Sequence, residues 1–414
     1  MSETLTPQPE AAQPGSTITA IPTILPGATI GIFGGGQLGR LTAMAARGMG
    51  YRILVLDPDP ACPARFIVDG CIEAGWDDSR EAANLARGCD VVTLEIEQIA
   101  LASMDAAAHY APVRPSRSML AVIQDRIEQK DWLRRNHFPL GDYRAVRSLE
   151  ELREAITTLG GKCFCKSATG GYDGRGQGKV GFAAESSTAS EARPTVSEEE
   201  IRGAWEALGE GPGVVEKAVE LDREISILVA RSPSGQVKVY PPALNHHENQ
   251  ILAWSVIPAP LPDAMAAEAR QIAEAIADAF QLEGILAVEL FVTRDGRLLV
   301  NELAPRPHNS YHASERACVT SQFEQFVRAV CNLPLGETDV VKPAAIANLL
   351  GDLWLSPEGP RVPNFDRALA VPGVRLHLYE KQRPRKGRKM GHLSAVARTP
   401  EEAVELVLRA KALL

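Results

Sequence analysis

Two glutamates offer the sharpest chemistry in this chain. Glu289 and Glu302 lie on apolar runs at residues 285–293 and 297–304, separated by Asp295-Gly296, a dipeptide favoured in two-residue β-hairpin turns. Such a turn pairs Arg294 with Arg297. Counting outward in that register sets Glu289 directly opposite Glu302, side chains on one face and Cβ atoms about 5 Å apart. Like charges so placed destabilise a sheet unless a cation joins them, and Mg²⁺ takes one or two carboxylates and completes its shell with phosphate oxygens. The alternative, a pair of solvated rim glutamates, fits poorly with the apolar neighbours Val288, Leu290, Phe291, Val300 and Leu303. The pairing depends on the turn: a third turn residue slips the register and sends one carboxylate to the other face.

A glycine loop adds polyphosphate chemistry. Lys166-Ser167-Ala168-Thr169-Gly170-Gly171-Tyr172-Asp173-Gly174-Arg175-Gly176-Gln177-Gly178-Lys179 carries five glycines in the nine positions 170–178. Glycine backbones can turn successive N–H groups onto a phosphate chain, and Lys166 and Arg175 add positive charge; the plain alternative is a flexible surface loop. An earlier turn, Gly34-Gly35-Gly36-Gln37-Leu38-Gly39, follows one apolar run, and Asp57 closes the next. That is the spacing of a dinucleotide-binding turn with its ribose-binding acid, or of any tight strand-to-helix turn. The same spacing recurs at Gly176-Gln177-Gly178-Lys179-Val180-Gly181, so it discriminates little, and neither loop has the Gly-Lys-Ser/Thr ending of a P-loop. Glu216-Lys217 reads as a surface ion pair, or as an acid accepting from an adenine amino group. Glu224 could hold ribose hydroxyls. Six basic residues crowd positions 381–389 (Lys381, Arg383, Arg385, Lys386, Arg388, Lys389), forming either a solvated loop or a local phosphate-capture site.

These groups need elements to position them. Residues 28–33, 51–56 and 90–94 read as buried strands, with helices at 38–49 and 79–87 between them, an alternation that argues a parallel sheet covered by helices. From about residue 123 the texture changes: a helix at 124–136, strands at 161–166, 214–219, 224–230 and 236–240, an amphipathic helix at 263–280 striped by Met265, Ala269, Ile272, Ile276 and Phe280, then the hairpin. Residues 343–414 return to short strands and a closing helix. The proline-rich residues 1–27 read as a disordered extension, and 183–198 as an exposed insertion. The expected domains are therefore 28–122, 123–330 and 331–414, in a mixed α/β and α+β chain.

Composition narrows the classes. The 414 residues carry 44 basic and 52 acidic side chains, net −8, which speaks against whole-molecule attraction to nucleic acid or anionic lipid. No apolar run approaches the ~20 residues of a membrane helix, and the first Lys or Arg is Arg40, so neither a membrane partner nor a targeting segment is expected. Seven scattered cysteines without a CxxC pair suggest a reducing, cytoplasmic setting. His109, His137, His312 and His377 read as packing or surface residues.

Taken in order, Lys166, the loop from Gly170 to Gln177, Glu216-Lys217-Ala218-Val219, Glu289 and Asn301-Glu302-Leu303-Ala304-Pro305-Arg306-Pro307-His308-Asn309-Ser310 resemble the ATP-grasp superfamily, and within it the N5-carboxyaminoimidazole ribonucleotide synthetase family. Gly36-Gln37-Leu38-Gly39-Arg40, Gln124-Asp125-Arg126 and Gly387-Arg388-Lys389-Met390-Gly391-His392 fit the same family over residues 28 to about 400. The stretch Arg383-Pro384-Arg385-Lys386-Gly387-Arg388 departs from the Arg-Pro-Gly-Arg of the family. The resemblance implies a three-domain enzyme: an N-terminal Rossmann-like parallel-sheet domain, a central ATP-grasp domain and a small β-rich C-terminal domain, working as a homodimer on small-molecule substrates. It implies carboxylation of 5-aminoimidazole ribonucleotide with ATP as co-substrate, bicarbonate, and one or two Mg²⁺ ions on Glu289 and Glu302. ATP would be held by Arg126, Lys166, Gly171, Tyr172, Asp173, Gly174, Arg175, Gly176, Gln177, Glu216, Lys217, Ala218, Val219, Glu224, His247, Asn301 and Glu302. Lys166, Tyr172, Asp173, Arg306 and His308 would serve catalysis, with the amine proton going to Asp173 or His308. Gln37, Leu38, Asn309, Ser310, Lys381, Arg388 and Lys389 would bind the ribonucleotide. Other readings are another ATP-grasp carboxylate–amine ligase, a formate-dependent purine enzyme, a noncatalytic nucleotide-binding regulator, and a nicotinamide oxidoreductase using the turn from Gly34 to Gly39 and Asp57.

Overall fold

The computed structural model of the protein describes residues 21–170, 176–182 and 196–414. Gly171, Tyr172, Asp173, Gly174 and Arg175, most of the 183–198 insertion and the first 20 residues lie outside them.

Near the N-terminus, β1 (Thr29–Phe33), β2 (Arg52–Asp57), β3 (Gly70–Glu73) and β4 (Val91–Leu94) form a parallel sheet in the order β3-β2-β1-β4. Its strands are apolar on both faces because helices cover both. Ile30 and Ile32 pack with Ala43 and Ala46 of helix Gln37–Gly48, while Phe33, Leu56 and Val92 pack with Leu85 and Ala86 of helix Ser79–Arg87. Residues 21–27 depart from the expected disorder: Ile24 donates its N–H to the Cys331 carbonyl at 2.9 Å and accepts from the Tyr51 hydroxyl at 2.7 Å. Proline-rich composition hid an anchor that depends on a residue some three hundred positions away.

The helix expected at 124–136 is Arg126–Arg135, and an unexpected helix, Arg117–Gln124, precedes it. Asp125 stands between them in extended conformation, and its carboxylate accepts from the N–H groups of Ile127 and Glu128, a local side-chain cap that starts the second helix. A four-stranded sheet follows, built from β5 (Tyr143–Val146), β6 (Cys163–Ser167), β7 (Gln177–Val180) and β8 (Gly213–Lys217) in the order β5-β8-β6-β7. The glycine loop is the connection between β6 and β7, and Lys166 pairs with Gln177 at its base.

A larger antiparallel sheet faces it. β9 (Leu221–Arg231), β10 (Val237–Val239), β11 (Ala243–Glu248), β12 (Ile251–Ile257), β13 (Gly284–Thr293) and β14 (Leu298–Ala304) supply most of it. β15 (Ala344–Leu350), β18 (Val374–Leu378) and β19 (Lys389–Val396) continue it in the order β14-β13-β9-β11-β12-β15-β19-β18, so the C-terminal strands extend the central sheet. A short outlying ribbon, β16 (Leu355–Ser356) with β17 (Gly359–Pro360), stands apart. Helix Asp263–Ala279 buries Ala269, Ala273, Ile276 and Ala277 against β9, β10 and β13.

Candidate active site

The hairpin reaches the expected pairing by a different route. Its turn has three residues, not two: Thr293 receives the Gly296 N–H at 2.9 Å and donates its own N–H to Arg297 at 3.0 Å, with Gly296 at φ +82°. This is the left-handed position that a three-residue turn reserves for glycine. The resulting register pairs Val292 with Leu298 and Leu290 with Val300, one step from the expectation. A β-bulge then restores it, because Leu290 faces Val300 while Glu289 faces Glu302, leaving Asn301 as the extra residue. A bulge re-aims side chains as well as shifting register, and here Asn301 turns into the cleft beside Glu302.

Around that bulge the two sheets meet through charge. Lys166 of β6 approaches Asn301 Oδ1 at 3.2 Å and Glu216 Oε2 at 2.6 Å. Lys130, from helix Arg126–Arg135, donates to the Asn301 carbonyl at 3.0 Å and lies 2.7 Å from Glu216 Oε1. Glu216 is therefore not half of a surface ion pair: its side chain is mostly buried, with an ammonium group close to each of its oxygens. Burial pushes the Glu216 carboxyl up, but Lys130 and Lys166 overcome this and hold it at about 2. The same burial drives the Lys130 ammonium below its ordinary range against the pull of Glu216. Lys217, by contrast, points outward, 3.8 Å from Asp142. Ala218 and Val219 follow it half-buried, the Ala218 N–H bonded to the Lys162 carbonyl.

Glu289 is mostly buried, with His308 Nε2 at 3.3 Å and the Asn301 amide donating at 3.3 Å. Burial raises its carboxyl, yet His308, His247 and Lys166 bring it down to about 2, so it is an anion at any ordinary pH. Glu302 keeps 47% of its side-chain surface exposed and has Arg126 Nη2 at 3.5 Å. Arg126 is itself tied to the loop base through the Ser167 carbonyl at 3.1 Å. Two facing carboxylates, one sheltered and one open, form a donor set that suits a hard divalent cation. Further along the sheet, Glu224 of β9 lies 2.7 Å from His247 Nδ1 on β11; burial lowers the imidazole, and Glu224 more than reverses that.

Past β14 the chain connects this cleft to the other two domains. His308 Nδ1 lies 2.7 Å from Ser310 Oγ, which accepts from the fully buried Ser226 hydroxyl. Asn309 accepts from Gln37 at 2.7 Å, and Gln37 in turn accepts from Lys381 at 2.6 Å. One line of contacts thus joins the first glycine turn, the post-hairpin loop and the C-terminal basic loop. Leu38 packs its side chain with Leu41, Phe323 and Tyr379, leaving only its backbone for a ligand. The basic run divides: Arg383, Arg385 and Lys386 are exposed, while Lys381, Arg388 and Lys389 are half-buried. Arg388 donates to the Arg383 carbonyl, and Lys381 to the Lys389 carbonyl.

The first glycine turn is filled from within. Glu95, just beyond β4, accepts the N–H groups of Gly36 at 2.7 Å and Gly39 at 3.1 Å, while Asp57 accepts from Gly35 at 2.7 Å. A Cβ on Gly36 would stand 2.5 Å from the Glu95 carboxylate, so glycine here makes room for a side chain of the protein itself. The amides a dinucleotide pyrophosphate needs are taken, and the expected ribose acid is turned inward, which removes the oxidoreductase reading. Sequence reasoning missed Glu95, Glu97, Lys130 and Gln322. The available signal was the pair of acids in Leu94-Glu95-Ile96-Glu97, since α/β sites gather beyond the carboxyl ends of strands. Glu97 lies 2.7 Å from Arg306, whose guanidinium is pushed down by burial but raised further by Glu97 and Glu95. Gln322 grips His308 on both sides, accepting its N–H at 2.8 Å and donating to its carbonyl at 3.0 Å. Away from the cleft, Glu315, His377 and His392 bring donor atoms within 4.8 Å of one another. The two imidazoles stack face to face, centroids 4.5 Å apart at 7°, so their lone pairs run parallel instead of converging on one ion.

Comparison with known proteins agrees with this architecture. Residues 27–124 match the ribonucleotide synthetase preATP-grasp domain, 131–323 the ATP-grasp domain, and 344–406 the phosphoribosylaminoimidazole carboxylase C-terminal domain. The N5-carboxyaminoimidazole ribonucleotide synthase of Brucella melitensis is 39% identical over 374 residues, 90% of this chain and 98% of that protein; that of Bacillus subtilis is 37% identical, covering 92% and 95%. A crystal structure of the ADP complex of an N5-carboxyaminoimidazole ribonucleotide synthetase matches with TM-score 0.84 at 39% identity, covering 94% of this chain and 97% of that one. The Aspergillus clavatus N5-carboxyaminoimidazole synthase, in complex with ADP and 5-aminoimidazole ribonucleotide, matches with TM-score 0.81 at 29% identity over 93% and 98%. With all three domains matched in order and relatives aligned almost end to end, the chain belongs to the N5-carboxyaminoimidazole ribonucleotide synthase family of ATP-grasp enzymes.

Proposed function

We propose that this chain carboxylates the amine of 5-aminoimidazole ribonucleotide, consuming ATP and bicarbonate and releasing ADP, phosphate and N5-carboxyaminoimidazole ribonucleotide, a step of purine synthesis. The observation that carries this reading is the unbroken line of polar contacts from Lys166 through Asn301, Glu289, His308 and Ser310, with Asn309, Gln37 and Lys381 beside it. A cation-lined cleft for a triphosphate and a basic loop for a ribonucleotide phosphate share one wall.

Bicarbonate is a poor electrophile because its oxygens leave reluctantly. Its attack on the γ-phosphoryl group gives carboxyphosphate, from which phosphate leaves easily. That transfer needs alignment and charge neutralisation more than covalent help. Lys166 and Arg126, fixed by Glu216 and by the Ser167 carbonyl, face the phosphates. Glu289 and Glu302 would hold Mg²⁺, whose role when bound is to neutralise phosphate charge; the fit rests on a carboxylate already ionised at Glu289 and an open one opposite. Arg306, buried and charged beside Glu97, binds the bicarbonate oxygens. His308 or Asp173 takes the proton as the amine attacks, and Gln37, Asn309, Lys381, Arg388 and Lys389 orient the ribonucleotide. The homodimer and the cytoplasmic setting belong to the same proposal and rest on family membership; among the described residues no helix is long and apolar enough to cross a membrane.

Phosphate release from ATP, measured with and without bicarbonate and 5-aminoimidazole ribonucleotide, tests the reading. Release that requires both is expected. Release indifferent to the ribonucleotide would instead mark a ligase for a different amine, and no release at all would mark a nucleotide-binding regulator.

A further inference from the structure

Among the described residues one pair of thiols is in contact. Cys62 Sγ lies 3.9 Å from Cys71 Sγ. Cys62 sits in the loop after β2, 1% exposed, its sulfur packed against the first glycine turn, where a Cβ on Gly35 would stand 2.5 Å away. Cys71 is on β3, paired with Val55, and only half-buried, so a small solute reaches it. The two thiols are also unequal. The contact with Cys62 and the nearby Arg65 charge, against the effect of burial, bring the Cys71 thiol down to about 7. The Cys62 thiol moves the other way, raised by Cys71 and by burial. One half-exposed, more acidic thiol beside one sheltered thiol is the arrangement of an attacking and a resolving cysteine.

The remaining five lack this arrangement. Cys163, Cys165, Cys318 and Cys331 are buried, and the Cys89 thiol donates to the Leu85 carbonyl at 3.1 Å. Burial raises Cys163 to about 11 and the other four to about 12.

We propose that Cys62 and Cys71 form a modification site, a dithiol that a peroxide converts to an intramolecular disulfide. The Cys71 thiolate attacks the O–O bond, keeps one oxygen as a sulfenic acid, and hydroxide or alkoxide leaves. The Cys62 sulfur then attacks the sulfenic sulfur; the S–O bond breaks, and the displaced hydroxide departs as water with the Cys62 proton. Two thiols lose two electrons, and the peroxide gains them. The site reaches the ribonucleotide side of the enzyme, since the loop holding Cys62 also gives the Ala64 N–H to Gly35 and the Pro63 carbonyl to Arg40.

The chain suits a direct test. Arg52, Arg65 and Arg80 bracket the pair, so trypsin cuts it into peptides 53–65 and 66–80 with one cysteine each. The full-length protein is treated with hydrogen peroxide, alkylated, digested and weighed. The expected product is a linked 53–65/66–80 species, 2 hydrogen masses below the sum of its parts, released by dithiothreitol, with the other five cysteines alkylated as before. In Cys62→Ser, dimedone should trap Cys71 as its sulfenic acid. Two fully alkylated peptides after peroxide, linkage to any other cysteine, or no dimedone adduct on Cys71 would each overturn the proposal.

Discussion

Glu95, just beyond a strand, and Glu289, in the middle of one, are both largely buried carboxylates, and they behave oppositely. The oxygens of Glu95 are held by backbone N–H groups at the start of a helix, donors that cannot move without unwinding it. Burial still raises its carboxyl to about 7, against the pull of Gly39, Gly36 and Arg306. Glu289 is held by side chains, His308 and Asn301, and faces an exposed partner across the ladder. Side-chain partners rotate away when a ligand arrives. The first site is closed by construction, and the second is open. A glycine turn is therefore read correctly only when the source of its anion is known.

Breaking the open site should have the largest effect. Glu302→Gln removes one charge of the facing pair, and ribonucleotide-dependent phosphate release should fall on the order of a thousandfold, with the thermal midpoint unchanged. A variant turning over at the parent rate would end the assignment of Glu302 to the metal. The next effect tests the ammonium pair that anchors the cleft. Lys130→Met keeps the apolar stem but leaves Glu216 with Lys166 alone. Breaking one partner of a buried ion pair costs about 3–5 kcal/mol, measurable in a urea titration. A loss under about 0.5 kcal/mol would show that Lys166 suffices.

The contrast also marks how much the sequence could tell. Strand-helix alternation around 28–94 and the amphipathic helix near 263–280 were legible because hydrophobic period is local. The Glu289–Glu302 pairing was legible for an incomplete reason: the third turn residue that should have undone it is offset by a bulge at Asn301, and nothing in Val300-Asn301-Glu302 announces a bulge. β3 went unread because Gly70–Glu73 is four residues with no alternation. Glu216 looked like half of a surface pair because its partners, Lys130 and Lys166, come from other elements. The line Lys381–Gln37–Asn309 joins three distant segments, a proximity no spacing encodes; those residues were nameable through family resemblance, and their contacts only through the fold.

The closed site gives the smallest effect and the most specific one. Glu95→Gln keeps the shape but offers one carbonyl oxygen and one NH₂ group to the two N–H donors of Gly36 and Gly39, leaving one of them opposed by a donor. That should cost about 1–3 kcal/mol. The gap must also depend on pH. With its folded pKa raised from 4.5 to about 7, the native protein holds this proton more tightly than the unfolded chain does. Its stability therefore declines as pH rises between those values and levels off above them. The substituted amide does not titrate, and every other ionisable group is shared by the two proteins. The parent should consequently exceed Glu95→Gln by more at pH 5 than at pH 8 in paired urea titrations. A difference that widens with pH would mean that Glu95 is ionised throughout, its charge fully compensated by Gly36, Gly39 and Arg306, and the closed site would then be an electrostatic clamp like the open one.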